Sequence, residues 1–151
     1  MKVKKLGKNT LWWIIIFASL LVFGVIISAV HIRHQNAFNA QAAIYRQEII
    51  DQSPISKADG LRDVYIVDLD DKFSFNIVLN SIPRKYDFDS YGADYAQIVS
   101  DILGGSTAKF HDLTVSYEDS DGNLNTWSTD DLVSYFLSDG KNVETHSLFN
   151  D

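Results

Sequence analysis

Ser106-Thr107-Ala108-Lys109 is the string with the most catalytic look in this sequence of 151 residues. In an S-x-x-K pair, a helix sets the lysine one turn from the serine, lowers the hydroxyl's proton affinity and makes it a nucleophile. Here Gly104-Gly105 precede the string and a strand-like run follows it, so a loop is expected instead of a helix. The S-D-N and K-T-G partners of such a serine are missing. A second candidate, Glu118-Asp119-Ser120-Asp121-Gly122, reads like part of a calcium loop. Setting Gly122 at the loop's sixth position puts Tyr117 where an aspartate is needed and Ser128 where a bidentate glutamate is needed, so a hairpin turn with solvated acids is the better reading. Asp68, Asp70 and Asp71 form another acidic group, again read as a turn.

The remaining chemistry is thinner still. Four histidines show no zinc-ligand spacing. His31 and His34, three apart, would share a helix face; a pH-sensing role is conceivable for such residues, but polar flanks of an apolar segment is the expected one. Glu118 and Glu144 are the only glutamates after Glu48, which leaves little for a paired-carboxylate glycosidase. Gly104-Gly105 lacks the Gly-Lys-Ser/Thr context of a phosphate-binding loop and suits a helix stop. With no cysteine in the chain, thiolate sites and disulfides are excluded. The expectation is a non-enzyme with no cofactor and no metal site.

Charge is sharply divided along the chain. Lys2, Lys4, Lys5 and Lys8 precede a long apolar run, and all 20 acidic residues lie at or beyond Glu48. From Arg33 onward, nine basic residues face those twenty acids, a formal −11. Such a domain repels polyanions, so nucleic acid is not an expected partner.

Residues 11–30 (LWWIIIFASLLVFGVIISAV) carry no charge. At about 1.5 Å of rise per residue, a helix of this length matches the hydrocarbon core of a bilayer. Trp12 and Trp13 stand where indoles favour the headgroup region, and the lysines ahead of the span predict a cytoplasmic N-terminus. Ala40-Gln41-Ala42 has the look of a signal-peptidase site but lies well beyond an apolar run longer than signal peptides usually carry, so a retained anchor is expected. Gly24 and Ser28 form a small-xxx-small pair through which two such helices could approach, leaving a homo-oligomer open.

Beyond the span, Phe38, Ala42, Tyr45 and Ile49 recur at spacings of 4, 3 and 4, on one helix face. Pro54 ends that helix near Ser53. The face packs either on the domain's own sheet or on a partner helix. Residues 64–69 (VYIVDL) and 73–79 (FSFNIVL) read as strands joined by Asp70-Asp71-Lys72. Tyr91, Tyr95, Ile98, Val99, Ile102 and Leu103 recur at helical spacing, with Asp89 or Ser90 as cap and Gly104-Gly105 as stop. Residues 110–118 and 123–127 form a second hairpin around Asp121-Gly122, and residues 128–131 open a short helix ending near Gly140.

The predicted architecture is α+β: an N-terminal transmembrane helix and helical stalk, then a small antiparallel sheet in ββαββα order packed with helices. The divisions are a basic cytoplasmic start (1–10), a membrane span (11–31), a stalk (32–53), an extracytoplasmic domain (54–142) and a tail (143–151). The function expected is that of a single-pass membrane protein of the cell envelope, an accessory or scaffold subunit of a bacterial envelope complex. Its partners would be the lipid bilayer and a membrane or envelope protein, met through Phe38, Tyr45, Ile49 and the interface-prone Trp127; the alternative for Trp127 is a cap on the domain's own core. A receptor or immunity-type binding protein, and a small envelope hydrolase using Ser106 or the aspartates, are the alternatives.

Overall fold

The computed structural model describes residues 8–82, 88–137 and 144–147. Its elements run α1 (Lys8–Gln52), β1 (Leu61–Leu69), β2 (Lys72–Leu79), α2 (Phe88–Ile102), β3 (Phe110–Glu118), β4 (Leu124–Thr129), α3 (Leu132–Leu137) and β5 (Glu144–Ser147). The chain divides into two compact units, Met1–Ala40 and Gln41–Asp151.

In the first unit every large apolar side chain between positions 12 and 32 is exposed. The hydroxyls of Ser19 and Ser28 donate to the carbonyls of Ile15 and Gly24, at 2.7 and 2.9 Å, so their polarity is absorbed within the helix. One helix is thus long and apolar enough to cross a membrane.

The second unit is an α+β domain built on one mixed sheet of five strands in the order β1-β2-β3-β4-β5. Asp70 and Asp71 hold φ of 54° and 63°, the left-handed pair of a two-residue type I′ turn, whose twist suits a hairpin. Asp71 N–H is tied to Asp68 Oδ1 at 3.0 Å, which helps a non-glycine residue tolerate that conformation. On β2, Phe73, Phe75, Ile77 and Leu79 all face inward and are buried. They meet Phe110, Leu113, Val115 and Tyr117 of β3 in register, each fully buried large side chain stabilising the fold by about 1.5–3 kcal/mol.

The expected antiparallel sheet is corrected in its centre. β1–β2, β3–β4 and β4–β5 are antiparallel, but β2 and β3 run parallel. The connection between β2 and β3 holds a full helix, α2, and a crossover of that length is what a parallel neighbour requires. Helix α2 begins at Phe88, so Asp89 and Ser90 sit in its first turn instead of ahead of it. It ends as expected, with Gly104 and Gly105 at φ 62° and 71° and Gly105 N–H donating to Ser100 O at 2.9 Å, a Schellman-type closure. Asp131 caps α3, accepting Ser134 N–H at 3.0 Å and Ser134 Oγ–H at 2.7 Å; the Ser134 N–H, first, holds the Asp131 carboxyl below the usual carboxylate range. The end expected for this helix near Gly140 lies outside the described residues. The fifth strand lies within the segment assigned to the tail.

One face of the sheet carries the core. Tyr45 of α1 packs on Phe73 and Phe75, at ring distances of 5.1 and 6.4 Å, and Ile49 is fully buried. Tyr95, Ala96 and Val99 of α2 and Leu132 and Tyr135 of α3 are buried with them. Ser53, just past α1, shares a 2.7 Å hydrogen bond with the Tyr95 hydroxyl, supplying the partner that a buried phenol needs.

Candidate functional site

β1 is an edge strand, and its hairpin register decides what it shows to the outside. Leu69 opposes Lys72 across the two-residue turn, so Leu69, Val67, Tyr65 and Asp63 exchange hydrogen bonds with β2. Val64, Ile66 and Asp68 therefore turn their N–H and C=O groups away from the sheet. At Val64 both outward groups are occupied. Arg46 Nε donates to Val64 O, and Asp63 Oδ1 accepts Val64 N–H, each at 2.8 Å. The Arg46 guanidinium meets the same Asp63 oxygen at 2.5 Å, closing a small plug over that part of the edge. Arg46, and then the Val64 N–H, hold the Asp63 carboxyl below the usual carboxylate range. At Ile66 and Asp68 the outward main-chain groups meet no partner among the described residues.

The side chains flanking this open stretch are apolar. Tyr65, Val67 and Leu69 lie on the sheet face opposite the core and are 51, 48 and 42% exposed. Their neighbours on that face are polar. Ser74 opposes Val67, Asn76 opposes Tyr65, and Ser74 Oγ–H donates to Asp112 Oδ1. A depression of about 340 Å³ at the carboxyl ends of β2 and β3 is lined by residues including Asn80, Ser81, Tyr117, Glu118 and Asp119.

The residues singled out by sequence fall in different places. Trp12 and Trp13 are exposed on the apolar part of α1, and Phe38 is partly buried on the same helix. Ile49 and Trp127 are buried in the domain's own packing, and the partly buried Tyr45 packs on Phe73 and Phe75. Ile49 is fully buried and Trp127 is 1% exposed, edge-on to Tyr135 at 5.6 Å. The alternative reading of Trp127, a cap on the core, is the one its burial supports, because a side chain so enclosed has no area to offer a partner. His31 and His34 are exposed on α1.

Ser106 to Lys109 form the α2–β3 connection, not a helix, and Lys109 O accepts Phe73 N–H at 2.7 Å. In the 119–123 loop, Asp119 Oδ1 accepts the N–H groups of Asp121 and Asn123, at 3.0 and 2.9 Å. A cation taking Asp119 as ligand would have to compete with the loop's own donors.

Sequence reasoning missed Arg46, Asp63, Tyr65 and Val67. The available signal was the run VYIVDL, in which apolar residues occupy both alternating sets and so leave one set for a second apolar surface. The sequence matches no protein-family model and no curated protein, and the fold matches no solved structure.

Proposed function

We propose that this protein is a single-pass membrane-anchored interaction domain, an accessory or scaffold subunit of a bacterial envelope complex that catalyses no reaction itself. α1 holds it in the bilayer with the basic N-terminus in the cytoplasm, and the acidic domain stands on the outer side. The lysines ahead of the span and the unbroken apolar surface of α1 support the anchoring and its orientation. The observation that carries the interaction reading is the edge of β1. An incompletely hydrogen-bonded strand edge beside half-exposed Tyr65 and Val67 is a template for pairing with another chain.

A photo-crosslinking residue placed at Val67 in the full chain, in cells, tests this reading, with exposed Gln97 on α2 as the control position. A discrete protein adduct at 67 and none at 97 is expected. No adduct at either position, or equal smears at both, would refute the β1 interaction surface. A C-terminal reporter active only outside the cytoplasm checks the orientation.

A further inference from the structure

We infer that the open stretch of β1 pairs antiparallel with the same stretch of a second copy of this chain, about a two-fold axis at Val67. This rests on the interaction reading above and names the partner of that same edge. The stretch is symmetric about Val67. Ile66 and Asp68, next to it on either side, turn their main-chain groups outward. Tyr65 and Leu69 follow on the open face, both apolar and about half-exposed. Beyond them the stretch ends at Val64, whose groups Arg46 and Asp63 hold, and at Asp70, which enters the turn. Such symmetry is what a closed pair of identical chains requires, because in a two-fold contact residue i meets j wherever j meets i.

The register follows from what is open. Centred on Val67, Ile66 of each copy opposes Asp68 of the other, and each pair exchanges both of its N–H···O=C bonds. Every outward group that β1 leaves open is then used. Centring on Ile66 would call on Val64, which is plugged; centring on Asp68 would set Ile66 against Asp70, inside the turn. On the open face Val67 meets its own counterpart and Tyr65 meets Leu69, at the closer, non-hydrogen-bonded spacing. Each exposed apolar side chain of the edge thus finds an apolar one. Neither end opposes the contact. Asp63 is held by Arg46, and Asp71 is engaged within its own copy. The register sets Val64 of one copy across from Asp70 of the other, bringing the guanidinium on the Val64 carbonyl toward that turn. The overall negative charge of two such domains acts at a range that physiological salt screens. Three half-exposed side chains a copy bury less than the roughly 1,000 Å² of a stable interface. The contact is therefore weak between free domains, and anchoring both copies in one bilayer supplies the local concentration it needs.

The chain has no cysteine, so single cysteines report the contact in the full chain, reconstituted in liposomes at low protein density under a mild oxidant. Val67→Cys sets two thiols across the axis, where Cα atoms about 4.5 Å apart suit a disulfide. A disulfide between copies, forming at least about tenfold faster than with Gln97→Cys on α2, is expected. Tyr65→Cys mixed with Leu69→Cys should link at least about tenfold faster than either variant alone, since the antiparallel register brings these two positions together. Equal rates at positions 67 and 97 overturn the pairing. A mixed rate no greater than the single ones overturns the antiparallel register. If Val67→Cys shows no preference while the photo-crosslink at position 67 in cells joins a different polypeptide, this inference fails and the interaction reading stands; loss of both removes both.

Discussion

Gly92→Ala is the substitution whose sign the structure decides against local propensity. Gly92 lies within α2, where alanine would be favoured by about 1 kcal/mol on helix propensity alone. A Cβ added there would fall 2.3 to 2.6 Å from three atoms of the Trp127 indole, about 1 Å inside ordinary contact. The indole has little freedom to yield, being 1% exposed and set edge-on against Tyr135. Overpacking of this depth costs about 3 kcal/mol or slightly more, so a net destabilisation of about 2 kcal/mol is expected once the propensity gain is subtracted. The same reasoning requires strong coupling to Trp127. Trp127→Leu destabilises the domain through its cavity, but in that background Gly92→Ala becomes neutral or stabilising, because its Cβ enters the vacated space. The assay is hydrogen–deuterium exchange of β2 and β3 in the detergent-solubilised full chain, with free energies taken from the slowest amides. A Gly92→Ala protein as stable as the parent, or one losing the same amount with and without Trp127, refutes the close approach of α2 to β4.

Four further perturbations test other parts of the fold. Asp63 has a folded pKa below its ordinary value, so its contribution is fully present above about pH 4 and is lost as pH falls through the depressed folded value. Asp63→Asn removes this part of the acid sensitivity, about 0.2–1 kcal/mol for so accessible a pair, and superimposable acid-unfolding profiles would argue against the plug. Tyr95 is pushed up to about 12, first by burial. Its stabilisation holds below about pH 10 and disappears as pH rises toward the folded value, so its ultraviolet tyrosinate signal should emerge only together with alkaline unfolding. Ser53→Ala strands the Tyr95 hydroxyl and costs about 1–3 kcal/mol, whereas adding Tyr95→Phe recovers part of that loss; additive losses in urea melts would deny the bond. Replacing Asp70-Asp71 by Asn-Gly, the pair that a type I′ turn prefers, stabilises the hairpin by about 0.5–1 kcal/mol, and a drop in stability would contradict the turn assignment.

Much of the domain was legible because its signals were local. The inward set of β2, the apolar face of α2 and its double-glycine stop follow from periodicity and backbone chemistry. The direction of β3 was not legible, since alternation is identical in parallel and antiparallel strands; only a helix-length connection hints at a crossover. Trp127 could not be placed by residue type, because tryptophan serves interfaces and cores alike. Gly92 was the overlooked clue: a glycine inside an amphipathic helix, with no cap to make, marks a close approach, and the largest side chain stands opposite it. β5 was invisible because Glu-Thr-His-Ser has no apolar alternation, and it is recognised by its pairing with β4. The plug joins residues 17 and 18 positions apart, beyond the reach of pattern.

The edge of β1 combines protection and exposure in a way that bears on what it is for. Proteins commonly guard strand edges with charge, bulges or covering elements, because an unguarded edge recruits other chains. Two such devices are present here: the register shift between Leu61 and Asp63 and the Arg46–Asp63 plug at Val64. Both act on the early part of the strand. From Tyr65 to Leu69 the outward-facing side chains are apolar, with charge confined to the inward-turned Asp68 and the turn beyond it. If protection against self-pairing were the sole demand, a lysine at position 67 would meet it at little cost to a half-exposed site. Instead the edge beside Ile66 and Asp68 keeps its main-chain groups turned outward, as the proposed interaction surface requires.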